Sequence, residues 1–184
     1  QKELPLTIPR VLPNKKGDFC TKITLHGIQY HVRLITYVQG RLWAKVNPKT
    51  SVLRHDLGHK AGALTKALLD FTSKQSQSDS HWDLANASWS FKHTMLFKGE
   101  KRALITRFQS LFKTIESCHK TLPKSTIHAD VNDYNILISN DLKNLEVAGI
   151  IDFGDTTYSQ TINDVAITIA YGAMQVLDPL EAAL

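Results

Sequence analysis

Two hydrophobic periods run along the chain, and the element type changes where one gives way to the other. Over Ile28–Tyr37, apolar Ile28, Tyr30, Val32 and Leu34 alternate with Gln29, His31 and Arg33. This is the period of a strand with one buried and one wet face. Phe19–Leu25 is also rich in β-branched and aromatic residues, and His26-Gly27 between the runs signals a tight hairpin turn. Ahead of the hairpin, Pro5, Pro9 and Pro13 exclude helix and make residues 1–17 an extended lead-in. Gly40 ends the second strand and reads as a flexible joint.

Beyond Gly40 the period lengthens. Leu57, Ala61, Leu64, Leu68 and Phe71 step by threes and fours and predict an amphipathic helix. Leu104, Phe108, Leu111, Phe112, Ile115 and Cys118 predict a second, with Lys101, Arg102, Lys113 and Glu116 turned outward and Pro123 stopping it. Thr161–Met174 is apolar almost all round, the pattern of a buried helix. Between the first two helices, S-K-Q-S-Q-S-D-S over 73–80 reads as a surface loop. The following Trp82, Leu84, Trp89 and Phe91 carry large apolar areas that predict anchoring on short helical turns. For Trp82 and Trp89, packing is the expectation and a stacking wall for a ligand the alternative. No internal repeat is present.

The stretch Thr126–Thr156 changes the picture from scaffold to chemistry. Asp130, Asn135 and Asp152 flank two apolar strand-like runs, Asn135–Ser139 and Val147–Ile151. Two acids and an amide oxygen suit a divalent cation beside a phosphate, because Mg²⁺ takes hard oxygen ligands and completes its shell with phosphates and water. An acid spared from the metal can orient a hydroxyl. The order H-A-D-x-x-x-x-N followed by I-I-D-F-G-D matches the layout of phosphoryl-transfer sites. Asp130 then handles the proton of a substrate hydroxyl, Asn135 offers its oxygen to Mg²⁺, and Asp152 bridges metal and phosphates. His128 holds the loop from behind by hydrogen bonding, and Asp133 is a turn-forming or substrate-rim acid. The competing account makes all three residues ordinary turn stabilisers.

Composition narrows the setting. The chain has 184 residues, 42% apolar and 21% charged, ordinary values for one globular domain, or one with part of another. It starts at Gln1 and stops at Leu184 just after an apolar run, and is expected to be a piece of something longer. The absence of a long apolar run or a secretory-type N-terminus predicts a cytoplasmic protein with no membrane partner. Cys20 and Cys118 form no C-x-x-C pair and read as small buried hydrophobes in a reducing compartment. The net charge of +5 is spread rather than striped, which argues for a solvated surface that attracts nucleotides and against a nucleic-acid partner. His55 and His59 stand at i, i+4 but lack an acid or thiol partner and read as solvent-facing.

The same motifs carry a resemblance. H-A-D-V-N-D-Y-N-I-L-I with G-I-I-D-F-G-D-T resembles the catalytic loop and metal motif of the aminoglycoside phosphotransferase and choline kinase superfamily. Within it, D-V-N-D-Y-N-I-L, I-I-D-F-G-D and D-V-A-I-T-I-A-Y are most similar to hydroxylysine-kinase-like proteins, from about Tyr30 onward. The resemblance implies an α+β, protein-kinase-like fold that is mostly the helical C-lobe. Residues 1–40 are then a β-hairpin remnant of the N-lobe with the hinge, and 41–184 the C-lobe. It also implies ATP and Mg²⁺ as cofactors, with the backbone of Thr36, Tyr37 and Val38 meeting adenine. Asp164 braces the catalytic loop, and Asp155 is a second acid near metal or substrate. The implied partners are a nucleotide, a small hydroxyl-bearing amine whose ammonium Asp133 and Asp155 attract, and the rest of the parent chain. Substrate choice is expected to lie within 73–98.

Two departures stand out. Ala129 occupies a position where the family usually has glycine. Lys15, Lys16 and Lys22 do not sit in a strand ahead of a helix with a suitable Glu, so the phosphate-positioning half of the small lobe is expected to lie outside these residues and the piece alone to be inactive. The alternative function is a non-catalytic kinase-like module, fused to a pyridoxal-phosphate aminotransferase-like domain.

Overall fold

The computed structural model describes residues 3–72 and 80–183; the expected serine-rich loop lies, except for Ser80, outside the described residues. The hairpin forms between β2 (Thr21–Leu25) and β3 (Ile28–Val32), paired antiparallel from Thr21–Val32 to Leu25–Ile28. His26 and Gly27 take φ of 50° and 78°, the left-handed pair that matches the twist of a two-residue hairpin. The run expected to continue to Tyr37 breaks instead at Arg33. Its remainder, β4 (Leu34–Ile35), pairs with β1 (Val11–Leu12) from the lead-in.

The sheet that carries the loops is three-stranded and antiparallel. It comprises β5 (Arg41–Leu42), β7 (Ile136–Ile138) and β8 (Val147–Ile150), with β7 in the middle. A separate ladder joins β6 (Lys124–Ile127) to β9 (Thr157–Gln160). Helix α1 (Ser51–Leu68) is capped by Thr50, whose hydroxyl accepts from the Leu53 amide at 3.2 Å. Its apolar face, Leu53, Leu57, Ala61 and Leu64, meets Trp43, Ile136, Ile138, Val147 and Ile150 to form the core. Lys60 is buried on the same helix, and its Nζ donates to Glu146 at 2.8 Å and to the Val147 carbonyl at 2.7 Å. The start of β8 is thereby tied to α1.

The lead-in also packs on this core. Leu4, Leu6 and Ile8 cover it, and the Ile150 amide donates to the Thr7 carbonyl at 3.2 Å. Gly149 makes the crossing possible, since a Cβ there would stand 2.6 Å from the Thr7 oxygen and 2.7 Å from Val38 Cγ1. Helix α2 (Gly99–Thr121) lies against a run of 3₁₀ turns over Leu84–Leu96, and α3 (Ile162–Gly172) packs on α1. The short helical turns expected after Trp82 are those 3₁₀ turns.

Several burial expectations are overturned. Both faces of β3 are exposed, Ile28, Tyr30 and Val32 included, as is Leu34 of β4. On α2, Leu104, Phe108, Leu111 and Ile115 are all more than half exposed. Phe71 lies beyond the end of α1 and is exposed, as are Cys20 and Cys118. Helix α3 is reversed: Asn163, Asp164, Thr168 and Gly172 are buried, while Ile162, Val165 and Ile169 face outward. The common reason is that periodicity identifies an apolar face but not a surface to cover it. The accessible surface of 13158 Å² exceeds the roughly 8,900 Å² of a compact monomer of this mass, and those uncovered faces contribute to the excess. His55 and His59 are exposed, and no helix of the described residues is long and apolar enough to cross a membrane.

Candidate active site

Two loops converge where β6 and β7 meet β8 and β9. The first, His128 to Asn135, is closed by its own side chains. Asn135 Nδ2 donates to the Asp130 carboxylate at 2.8 Å and to the Asp130 carbonyl at 2.9 Å. Asn132 Nδ2 donates to the other carboxylate oxygen at 2.8 Å, and Asn132 Oδ1 accepts from the amides of Tyr134 and Asn135 at 2.8 and 3.1 Å. The turn former is thus Asn132 rather than Asp133, its side chain accepting from the backbone two residues on as in an Asx turn. Asp133 contributes its carbonyl, which accepts from the Ala44 amide at 2.9 Å.

The loop is braced from α3. Buried Asp164 accepts from the Ala129 amide at 2.8 Å through Oδ1, and from the His128 amide at 3.1 Å and the Thr65 hydroxyl at 3.2 Å through Oδ2. The clamp holds Ala129 at φ 66°, left-handed backbone that glycine adopts freely and alanine at a cost. His128 connects the two loops. Its Nδ1 accepts from the Asp130 amide at 3.2 Å, so Nε2 carries the proton and donates to the Ile151 carbonyl at 3.0 Å. The ring stands edge-on to Phe153 at 4.6 Å. Burial lowers the His128 pKa below its usual 6.5, opposed chiefly by the Asp164 charge.

The second loop follows β8. Asp152 is itself left-handed, with φ 63°, and accepts from the Gly154 amide at 3.1 Å, opening the turn Phe153–Asp155. A cavity of about 430 Å³ is lined by Pro9, Thr36, Tyr37, Val38, Ile151 and Asp152, so the expected hinge residues and Asp152 border one space. Another, of about 310 Å³, is lined by Trp82, Leu84, Asp130, Asp155, Ile167 and Tyr171. Asp133 is absent from both linings. Trp82 is 78% exposed and lines that cavity, so of the expected core or interlobe packing the core placement does not hold. Trp89 stands edge-on to His81 and His93, each at 5.6 Å, and is 39% exposed, so it packs on neighbouring rings at the surface, and its core placement does not hold either. Among the described residues, no three His, Cys, Asp or Glu side chains group to hold a metal. The donors available are the exposed Asp152 carboxylate and Asn135 Oδ1, whose amide protons are already committed to Asp130. Such a pair fits a hard cation that completes its shell from phosphate and water.

Paired loops hung between a small β layer and a helical base define a protein-kinase-like fold. The sequence pattern of the phosphotransferase enzyme family, APH, matches residues 1–184, and the chain belongs to that family. Hydroxylysine kinase of Mus musculus is 30% identical over 165 residues, which cover 83% of this chain and 43% of that relative. The chain therefore spans less than half the length of this curated relative. Among solved structures, a microcompartment-associated aminopropanol kinase superposes with a TM-score of 0.68 at 18% identity, covering 98% of this chain and 58% of the other. Amicoumacin kinase hAmiN in complex with AMP-PNP, Ca²⁺ and Ami gives a TM-score of 0.61 at 15% identity, covering 96% and 51%. At these identities the superpositions show the fold.

Proposed function

We propose that the whole protein transfers the terminal phosphoryl group of ATP to a hydroxyl of a small amine-bearing molecule. One observation carries the reading: Asp130 borders one cavity, Asp152 borders the other, and His128 bonds to both loops. The hinge-side cavity suits a nucleotide, with the backbone of Thr36 to Val38 facing adenine. The Asp130 cavity suits the alcohol, whose proton Asp130 accepts or orients. Asp152 and Asn135 would hold Mg²⁺, which neutralises phosphate charge when bound. Asp155, on the alcohol side, draws an ammonium group, and Asp164 with His128 keeps the Asp130 backbone in place. Residues 1–40 serve as part of the small lobe and hinge, and 41–184 as the large lobe. The names of similar proteins, hydroxylysine kinase and aminopropanol kinase, support an amino alcohol as acceptor.

The test is phosphate transfer from ATP by the full-length protein to 5-hydroxylysine, ethanolamine, choline and homoserine. Turnover is expected with at least one, and Asp130→Ala should lower kcat by about 10²-fold or more. No transfer to any of these alcohols, or full activity in Asp130→Ala, refutes the proposal.

A further inference from the structure

The wall of the alcohol-side cavity comes from a segment the catalytic motifs do not touch. Trp82 and Leu84 line it and flank Asp83 in sequence. Asp83 turns the other way and is buried. Its Oδ1 accepts from the Ser159 hydroxyl at 2.7 Å, the Ala85 amide at 3.0 Å and Asn163 Nδ2 at 3.4 Å. Asn163 also donates to Ser159 at 3.1 Å, and its Oδ1 meets buried His119 at 2.8 Å. One carboxylate oxygen thus pins the start of the 3₁₀ segment to β9, to α3 and, through Asn163, to the end of α2. A chain held by one buried side chain presents the residues on either side of it at a fixed depth.

What those residues present has a definite chemistry. The lining of the cavity includes the acids Asp130 and Asp155, the aromatic Trp82 and Tyr171 and the apolar Leu84 and Ile167, and among the described residues it holds no Lys or Arg. Negative charge facing an aromatic surface attracts an organic cation through Coulomb and cation–π terms together. Resting on the proposed function above, we infer that Trp82 is a specificity-determining residue that selects acceptors bearing an ammonium group, and that Asp83 is the positioning residue that holds it at the cavity.

Calorimetric titration of the full-length protein with ethanolamine, choline and the uncharged ethylene glycol tests this without turnover. The amines should bind more tightly than the diol. Trp82→Ala and Asp83→Ala should weaken the amines roughly 3- to 30-fold while leaving ATP affinity unchanged. Trp82 is exposed, so Trp82→Ala should keep the wild-type melting temperature. Asp83→Asn retains Oδ1 and should bind amines close to wild type, a rescue that generic loss of structure does not produce. Wild-type amine affinity in Trp82→Ala, no rescue in Asp83→Asn, an equal loss of ATP binding, or no preference for amine over diol each overturns the inference. Intact amine binding with no phosphate transfer to any alcohol sinks the proposed function alone, and transfer without amine preference sinks this inference alone.

Discussion

Replacing Asp164 removes the acceptor on which the first loop is hung. Its two carboxylate oxygens serve the buried amide of His128, the half-buried amide of Ala129 and the Thr65 hydroxyl, and no other acceptor for either amide is present among the described residues. An orphaned buried donor costs about 1–3 kcal/mol, so the buried His128 amide near the top of that range and the half-buried Ala129 amide near the bottom together lose about 4 kcal/mol. Releasing Ala129 from its left-handed backbone returns about 1 kcal/mol. Asp164→Ala should therefore destabilise by about 3 kcal/mol, a large share of the 5–15 kcal/mol typical of a domain. Asp164→Asn keeps Oδ1 for Ala129 but turns an NH₂ toward the His128 amide, and should lose about half as much. Urea titration with an unchanged m-value reads the difference, and hydrogen exchange at the two amides locates it. A loss below about 1 kcal/mol in Asp164→Ala, with both amides still protected, would refute the clamp.

Two further outcomes follow from close contacts elsewhere. Gly149→Ala places a methyl against the Thr7 carbonyl and Val38. It should cost about 1–3 kcal/mol and remove exchange protection from the Ile150 amide; unchanged protection would contradict the crossing. His128 is held neutral by burial, with its pKa below 6.5. Because the unfolded chain takes up that proton first as the pH falls, the contribution of the neutral ring is full above 6.5 and is lost from there down toward the folded pKa. Stability measured between about pH 8 and pH 5 should therefore fall more steeply for wild type than for His128→Gln, and parallel curves would refute the assignment.

The elements were legible where the code is local. The hairpin follows from β-branched runs around His26-Gly27, and α1 from the spacing of Leu57, Ala61 and Leu64, because both signals lie within a few residues. Asp130, Asn135 and Asp152 stood out because short motifs at strand ends determine which side chains a loop can gather. Asn132 was legible in principle as an Asx turn but is overshadowed by the acids around it. Asp83 was not legible at all, since its partners Ser159 and Asn163 are 76 and 80 residues away.

By itself, then, the sequence determined the element types, the loop pair and the family. Backbone period and motif spacing act over distances shorter than a turn or a strand, so they survive without knowledge of neighbours. The tertiary structure alone decided which faces are covered and which long-range partners meet. Helix α3 shows why: its apolar side chains read as core, yet the buried face is Asn163, Asp164 and Thr168. Uncapped loop amides and the Asp83 carboxylate need hydrogen-bond partners inside the protein, and α3 supplies them at the expense of burying Ile162, Val165 and Ile169.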